Sequence, residues 1–253
     1  KFFFKKKICL TFGGTDFVKS KNNWIILYFL KYLDRIYVVS KNLKKNFIKL
    51  GFKNVINHEN GVDENIFYNM NSERENLIIA IGNIRKIKGY EFTIDGFSNF
   101  FKENNNYKLK IIGKIYNDEY FIKLNQLIKN NGMEKNIFFT DSLSHEEISL
   151  ELNKSKLTVL SSISEGFPKI IIESIRCNTP VLSSNVGNAK EIISNCGLII
   201  ESRNAQSISD SIEKILSNYN LYKNNCSNYA YNYSWDNFVK KIDSGYSKFL
   251  PKN

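Results

Sequence analysis

The sequence predicts a mixed α/β fold built on a doubly wound parallel sheet, and three observations favour it. Short apolar runs rich in Val, Ile and Leu alternate with segments that have the apolar spacing of amphipathic helices. Two of these runs end directly in a glycine, at Gly82 and Gly113. A strand, a polar loop, a helix and a second strand follow one another between residues 157 and 182, as in a βαβ unit. Such sheets bind ligands outside the carboxyl ends of their strands, so the loops there are the expected site.

The first 62 residues alternate short strands with helices. Each predicted strand is a short, mainly apolar run, and each predicted helix has apolar side chains three or four positions apart. The strands cover 8–12, 36–39 and 55–57, and the helices lie near 23–33 and 41–50. Alternation of this kind indicates parallel strands joined by helical connections.

From about residue 71 onward the alternation is regular. The predicted strands are 77–81, 109–112, 137–140, 157–160, 181–182 and 197–200, and the predicted helices are 90–101, 120–129, 146–152, 168–177, one near 189–193 and three at the C-terminus. Six strands interleaved with helices indicate a complete doubly wound sheet. The loops that begin at Gly82, Gly113, Asp141 and Glu165 would then lie at one edge of that sheet.

The loop at residues 161–168 carries the strongest functional pattern in the chain. It contains Ser164-Glu165-Gly166-Phe167-Pro168, and a second carboxylate follows at Glu173. Pro168 suits the first helical position, since the N–H that proline lacks has no partner there. Backbone N–H groups at the start of a helix bind phosphates. Each glutamate alone is more typical of a loop cap or a salt bridge, but the two around this turn favour ligand binding.

Composition limits the class of protein. The chain has 253 residues, a net charge of +11 and 42% hydrophobic residues, which suits a globular chain with more than one core. The longest apolar run, 24–30, is far shorter than the ~20 residues that span a bilayer, and no secretory signal is recognisable. The four cysteines are scattered, the two histidines form no metal site, and Asp-x-Asp does not occur. These features predict a cytoplasmic, reduced, metal-independent protein.

The motifs together resemble glycosyltransferase family 4, a family of retaining enzymes of GT-B fold that use nucleotide sugars. The glutamate pair described above resembles the donor-site signature of that family. The other segments that carry the resemblance are Asn60-Gly61-Val62-Asp63 with Phe67, Gly82 with Lys88 and Gly89, Asn178-Thr179-Pro180-Val181, Asn185-Val186-Gly187, Gly197-Leu198-Ile199 and Ser234-Trp235-Asp236. Their order and spacing carry the resemblance from about Leu10 to the C-terminus.

The resemblance implies how the chain is organised. Residues 1–62 would be the second half of an N-terminal, acceptor-side Rossmann-like domain, because a strand-like run comes at once and the first residue is Lys. Residues 63–234 would form the complete C-terminal Rossmann-like domain that binds the nucleotide-sugar donor. Residues 235–253 would form a C-terminal helix that packs back toward the N-terminal domain.

The resemblance also assigns roles to residues. Lys88 would neutralise the donor diphosphate, Glu165 would contact the transferred sugar, and Glu173 would accept hydrogen bonds from the ribose hydroxyls. The loop 140–143 would contact the nucleobase. The expected donor-binding residues are Gly82, Asn83, Arg85, Gly113, Ser142, Gly166, Phe167, Pro168 and Glu173.

The chain departs from the family pattern at two turns. Asn83 stands where an Arg often follows the glycine, and Arg85 either replaces that Arg from a shifted position or is a solvated basic residue. In the turn Phe12-Gly13-Gly14-Thr15-Asp16, Gly13 stands where the family often has a His. Gly13, Gly14 and Asp16 are the candidate acceptor-side residues, although without the family a plain tight turn is the better explanation of the two glycines.

The expected partners are a UDP- or GDP-linked sugar and a saccharide or lipid-linked acceptor, as in surface polysaccharide synthesis. Residues 1–70 carry 13 Lys and Arg against 5 Asp and Glu, a net +8, which favours an anionic acceptor or peripheral contact with an anionic membrane. Three alternatives remain. They are an epimerase-like enzyme of the same fold, an inactive nucleotide-binding fragment, and a nucleic-acid-binding protein, although basic residues do not interleave with aromatics as nucleic-acid binding requires.

Overall fold

The computed structural model describes residues 7–13, 16–17, 20–58 and 60–247. Within them the chain forms a three-stranded and a six-stranded sheet, and every neighbouring pair of strands is parallel. The strands are β1 (Cys9–Phe12), β2 (Arg35–Val38), β3 (Val55–Asn57), β4 (Leu77–Ile81), β5 (Lys108–Ile112), β6 (Ile137–Thr140), β7 (Leu157–Leu160), β8 (Val181–Ser184) and β9 (Gly197–Ile200). The helices are α1 (Trp24–Leu30), α2 (Lys41–Lys49), α3 (Tyr90–Phe101), α4 (Asp118–Asn130), α5 (His145–Lys154), α6 (Lys169–Arg176), α7 (Ala189–Ile193), α8 (Ala205–Ser217), α9 (Tyr219–Tyr229) and α10 (Trp235–Ser247).

The smaller sheet has the strand order β1-β2-β3, so its strands lie side by side in chain order. Helix α1 begins after Asn23, whose side-chain oxygen accepts two backbone N–H groups of the first turn. Helix α2 begins after Ser40, whose hydroxyl accepts the N–H of Leu43. The core of this unit includes Phe12 and Phe47, whose ring centroids are 5.1 Å apart. The caps and the buried rings fix α1 and α2 against the sheet.

The larger sheet has the order β6-β5-β4-β7-β8-β9. The chain runs outward from β4 to β6, then crosses back to place β7 on the other side of β4 and runs outward again to β9. The order therefore reverses between β4 and β7, and a crevice forms beyond the carboxyl ends of these two strands. The prediction of a complete doubly wound parallel sheet is confirmed.

Both faces of the larger sheet are buried. Successive residues of a strand point to opposite faces, and Ile78 and Ile79 of β4 are both fully buried in different hydrophobic clusters. Helices α3 and α8 cover one face, with Phe97 and Ile212 in its core. Helices α6 and α9 cover the other, with Ile171 in its core. The near-continuous apolar runs in the sequence reflect burial on both sides.

The segment that links the two sheets is held by polar contacts. Arg74 donates hydrogen bonds from its guanidinium to the carbonyl oxygens of Leu152 (2.7 Å) and Ser155 (2.9 Å) and to the hydroxyl of Thr179 (2.7 Å). Burial lowers the pKa of Arg74. These bonds tie the entry to β4 to the loops at the amino ends of neighbouring strands.

Helix α10 starts beside the same linking segment. Val62 forms an isolated parallel bridge with Ser234, and its N–H donates to the carbonyl of Tyr233 at 2.9 Å. Further along the helix, the ring of Phe238 lies 5.1 Å from the ring of His58, which directly follows β3. The first turn of α10, which includes Phe238, therefore contacts the residue that follows the last strand of the smaller sheet.

Candidate functional site

Three loops meet at the crevice where the strand order reverses. The loop after β4 is joined to the loop after β5 by a hydrogen bond from the N–H of Ile84 to the carbonyl of Lys114, at 2.8 Å. It is joined to the loop after β7 by a bond from the N–H of Ile163 to the carbonyl of Ile87, also at 2.8 Å. These backbone bonds fix the three loops relative to one another.

The glycines that end β4 and β5 are required by a close approach of their backbones. A Cβ atom on Gly113 would lie 2.1 Å from the carbonyl oxygen of Gly82, and one on Gly82 would lie 3.0 Å from Cε of Lys88. The hydroxyl of Tyr90 donates to the same Gly82 carbonyl. Neither loop could keep this path with a larger residue, so the floor of the crevice is made of backbone.

Lys88 and Glu165 form an ion pair in the crevice. Nζ of Lys88 lies 2.7 Å from Oε1 of Glu165, and the two side chains are 21% and 16% exposed. The hydroxyl of Ser162 donates to the same carboxylate oxygen at 2.7 Å. The two charges come from loops that follow adjacent strands, so the sheet topology brings them together.

The turn that carries Lys88 is tightly anchored. Residues Lys86–Lys88 form one 3₁₀ turn that ends at Gly89, in the left-handed region at φ 62°. A Cβ on Gly89 would lie 2.6 Å from the carbonyl oxygen of Ser161, and the hydroxyl of Ser161 donates to the Gly89 carbonyl at 2.6 Å. The lysine therefore projects from a turn that is held against the loop carrying Glu165.

Glu173 lies on α6, the helix that follows the same loop, and its side chain is half-buried. In the part of the chain that the structure describes, its carboxylate makes no hydrogen bond or ion pair. Burial raises the pKa of Glu173 to about 7, and Lys169 one turn earlier lowers it by a smaller amount. A carboxylate that is desolvated without a partner is costly to keep charged, and a ligand with hydroxyl groups would offset that cost.

Phe167 connects this site to the smaller sheet. Its ring packs against the core of the larger sheet and also against the core formed by β1, β2 and α2. Two polar contacts run nearby, because Lys41 Nζ lies 3.2 Å from Glu191 and Asn42 lies 3.5 Å from the Gly187 carbonyl. The start of α2 therefore faces the loops after β7 and β8.

The structure brings together most of the predicted donor-site residues and leaves others apart. Gly82, Gly113, Lys88 and Glu165 meet in the crevice, and Gly166 and Phe167 follow on the same loop. Pro168 precedes α6 instead of occupying its first turn, because the helix begins at Lys169. The backbone nitrogen of Asn83 also lies at this floor, 3.1 Å from where a Cβ on Gly113 would stand, although the residue is exposed. The predicted residues outside the cluster are Arg85, whose guanidinium lies 4.9 Å from the ring centre of Tyr116, and Ser142, an exposed residue after β6 whose N–H donates to Asp141.

The acceptor-side residues form a local turn. The N–H of Gly13 donates to the carboxylate of Asp16 at 2.9 Å. Gly14 lies outside the described residues.

Two residues of the crevice were not predicted from sequence, namely Ser162, which donates a hydrogen bond to Glu165, and Tyr90, which donates one to the Gly82 carbonyl. Both lie beside predicted residues in the sequence, but nothing in their local pattern separates them from ordinary loop and core residues.

Comparison with known proteins decides the family. The family described as "Glycosyl transferases group 1" matches residues 62–233 of this chain. The chain belongs to that family. The match covers all six strands of the larger sheet and includes Lys88, Glu165 and Glu173.

Two curated relatives extend the similarity beyond the matched region. An uncharacterized glycosyltransferase of Methanocaldococcus jannaschii is 28% identical in an alignment of 249 residues that covers 94% of this chain and 68% of the relative. The N-acetyl-alpha-D-glucosaminyl L-malate synthase of Bacillus anthracis is 25% identical in an alignment of 237 residues that covers 86% of this chain and 60% of the relative. The chain therefore spans between three fifths and seven tenths of the length of these two relatives.

A solved structure places the group 1 chain in the GT-B fold. The crystal structure of Anabaena HepE in complex with UDP and glucose aligns with a TM-score of 0.83 at 15% identity, over 97% of this chain and 73% of that one. In the described part of the chain, no helix combines the length and the apolar character needed to cross a membrane. Among the same residues, no group of three or more His, Cys, Asp or Glu side chains is arranged to hold a metal ion.

Proposed function

We propose that this group 1 chain is the donor-binding part of a retaining hexosyltransferase of family 4. It would move a sugar from a UDP- or GDP-linked donor to a saccharide or lipid-linked acceptor, without a bound metal, in the synthesis of a surface polysaccharide. The observation that carries the proposal is the Lys88–Glu165 pair at the strand-order reversal, together with Glu173 on the next helix, whose carboxylate has no partner among the described residues. Residues 63–234 would form the donor-binding unit.

The diphosphate of the donor would lie against Lys88. An ammonium group beside the leaving phosphate stabilises the negative charge that develops as the glycosidic bond breaks. Gly82 and Gly113 let their two loops close against each other beside Lys88, which would place backbone of both loops next to the phosphate oxygens. The backbone N–H groups that follow Gly166 would bind the same oxygens at the start of α6.

The nucleoside would lie toward Glu173. When ionised, a carboxylate only accepts hydrogen bonds, and two adjacent ribose hydroxyls supply two donors. Burial without a partner raises the pKa of this carboxyl to about 7, so hydroxyl donors would stabilise its charged form. The loop that includes Ser142, two strands away from β4, would contact the base.

Transfer would proceed on one face of the sugar. The acceptor oxygen forms the new bond to the anomeric carbon on the side from which the diphosphate leaves, and the broken bond gives its electron pair to the phosphate. The acceptor proton passes to an oxygen of that phosphate. Glu165 would orient the sugar and stabilise its positive charge without forming a covalent bond.

The comparisons support the donor class more than the acceptor. HepE was crystallised with UDP and glucose, and the name of the Bacillus anthracis relative gives a malate product.

Peripheral contact with an anionic membrane would use the exposed Lys45 and Lys49 of α2, together with the exposed aromatic side chains of Trp24 and Phe29 on α1.

Calorimetric titration with UDP-glucose and GDP-mannose tests the donor site. We expect micromolar binding of one donor, weakened ~10-fold or more in Glu173→Ala by loss of a charged hydrogen bond. Glu146→Ala, which removes an exposed carboxylate from α5, should leave the affinity unchanged. A folded sample that binds neither donor nor either free nucleotide would overturn the proposal.

A second assay separates transfer from nucleotide binding alone. The protein is incubated with the donor it binds and with saccharide, lipid-linked and L-malate acceptors, with and without EDTA, and the products are followed by mass spectrometry and NMR. A product that keeps the anomeric configuration of the donor, formed equally well with EDTA, is expected. Donor binding without any product would favour the inactive nucleotide-binding fragment, and isomerised donor would favour the epimerase-like enzyme.

A further inference from the structure

The ammonium group proposed to bind the diphosphate is already paired with a carboxylate. Nζ of Lys88 and Oε1 of Glu165 are 2.7 Å apart, and both side chains are largely shielded from water. Shielding makes such a pair stronger than one on an open surface. A phosphate that approaches Lys88 therefore meets a site that is occupied by a negative charge of the protein itself.

Glu165 is also held in place from its other side. The hydroxyl of Ser162 donates to the same Oε1 atom at 2.7 Å. The carbonyl of Ser162 in turn accepts a hydrogen bond from the hydroxyl of Ser184, at 2.6 Å, at the end of the neighbouring strand β8. The sheet thus positions the carboxylate. If Glu165 moved out of the crevice, it would lose its contacts with Lys88 and Ser162.

A donor and its product differ in how they interact with a fixed carboxylate. The intact nucleotide sugar has a diphosphate diester and, in the proposed site, its sugar hydroxyls would donate hydrogen bonds to Glu165. The nucleoside diphosphate that remains after transfer has lost those donors and exposes a terminal phosphate with additional negative charge. Like charges that share one ammonium repel each other, and more so in a shielded crevice.

We propose that Glu165 selects the intact donor against the nucleoside diphosphate product by competing with phosphate for Lys88. In the unliganded protein Glu165 takes the place of the diphosphate. The donor exchanges that ion pair for sugar hydroxyl contacts, and re-formation of the pair promotes release of the product. This inference rests on the proposed donor site and adds a specificity role for Glu165 to it.

The experiment measures UDP and UDP-glucose affinities by calorimetry, or GDP and GDP-mannose affinities if the protein binds those. The variant Glu165→Gln keeps the shape of the side chain and removes its charge. We expect it to bind the free diphosphate about tenfold tighter than the native protein, because a repulsive charge is gone, and to bind the intact donor no tighter. Glu146→Gln is the matched control, since it makes the same change at an exposed carboxylate of α5, outside the crevice.

The outcomes distinguish the two proposals. Tighter binding of the diphosphate by Glu165→Gln, with Glu146→Gln near the native value, supports the inference. Equal or weaker diphosphate binding by Glu165→Gln overturns it while the donor site stands. If the native protein binds neither nucleotide form, the proposed donor site itself is wrong and the inference falls with it. Circular dichroism and a thermal melt of each variant confirm that the comparison is made between folded proteins.

Discussion

Replacing Glu173 with glutamine should stabilise the unliganded protein, but only at neutral and alkaline pH. The carboxyl group is half-buried on α6 and has no ion-pair or hydrogen-bond partner among the described residues. Burial raises its pKa from 4.5 to about 7. The folded chain therefore holds a proton on Glu173 more tightly than the unfolded chain does, and the charged form is the costly one.

The sign and size of the effect follow from these two pKa values. Stability from the protonated carboxyl is complete below pH 4.5 and is lost as the pH rises through 7. The full difference between the two pKa values corresponds to about 3 kcal/mol. Because the side chain keeps some contact with water, we expect Glu173→Gln to raise the free energy of unfolding by about 1–3 kcal/mol at pH 8.5. At pH 4.5 the change should be close to zero.

Urea denaturation of both proteins at pH 4.5, 6.5 and 8.5 measures this difference. The control is Glu119→Gln on α4, where a hydrogen bond from Lys123 lowers the pKa of an exposed carboxyl. That variant should show no gain in stability at high pH, since a favourable contact is lost instead. A Glu173→Gln stability difference that is constant across the three pH values would refute the reasoning, because a titrating buried charge must change its contribution with pH.

Three further outcomes are expected. The affinity for a UDP- or GDP-linked sugar should rise about tenfold from pH 6 to pH 8 as Glu173 ionises, and a calorimetric profile of Glu173→Gln should be flat. Gly113→Ala should lower the free energy of unfolding by about 3 kcal/mol or more, because its Cβ would meet a backbone carbonyl. Gly132→Ala, at φ 68° with open space around it, should lower it by about 1–2 kcal/mol in the same denaturation assay. Arg74→Met should lower the free energy of unfolding by about 3 kcal/mol, because it removes donors from buried carbonyls. Arg203→Met, at an exposed loop position, should change it little. Equal melting temperatures for the two arginine variants would contradict this account.

The sequence was sufficient to predict the larger sheet because burial on both faces leaves a strong pattern. The runs at β4 and β7 are almost purely apolar, and β5 ends in two isoleucines after two lysines. Each strand is followed by a loop of small or polar residues. Gly82 and Gly113 mark two of those ends directly, since only glycine permits the backbone approach found there. The fold class and the loops that form the crevice were therefore predictable, while the limits of α1 were not. Its helical pattern continues to residue 33, but the helix ends at Leu30.

The pairing of Lys88 with Glu165 could not be derived from local pattern. The two residues are 77 positions apart, and they meet because β7 returns to the side of β4 instead of extending the sheet beyond β6. Strand order depends on how helices pack on the sheet, which no local stretch of sequence encodes. The hydroxyls of Ser162 and Tyr90 were missed for a different reason. Their partners, Glu165 and the Gly82 carbonyl, are only three and eight positions away, but a serine in a polar loop and a tyrosine at a helix start are too common to mark a site.

Phe167 has a consequence for protein engineering. Its ring belongs to the packing of both sheets and stands two positions after Glu165 in the same loop. A chimera that grafted the first 60 residues of another group 1 protein onto this one would exchange half of the surroundings of that ring. Unless the graft supplied an apolar hollow of matching shape, the donor loop would shift even though none of its own residues had changed. A working chimera must therefore match the residues that pack around Phe167 as well as the linking segment.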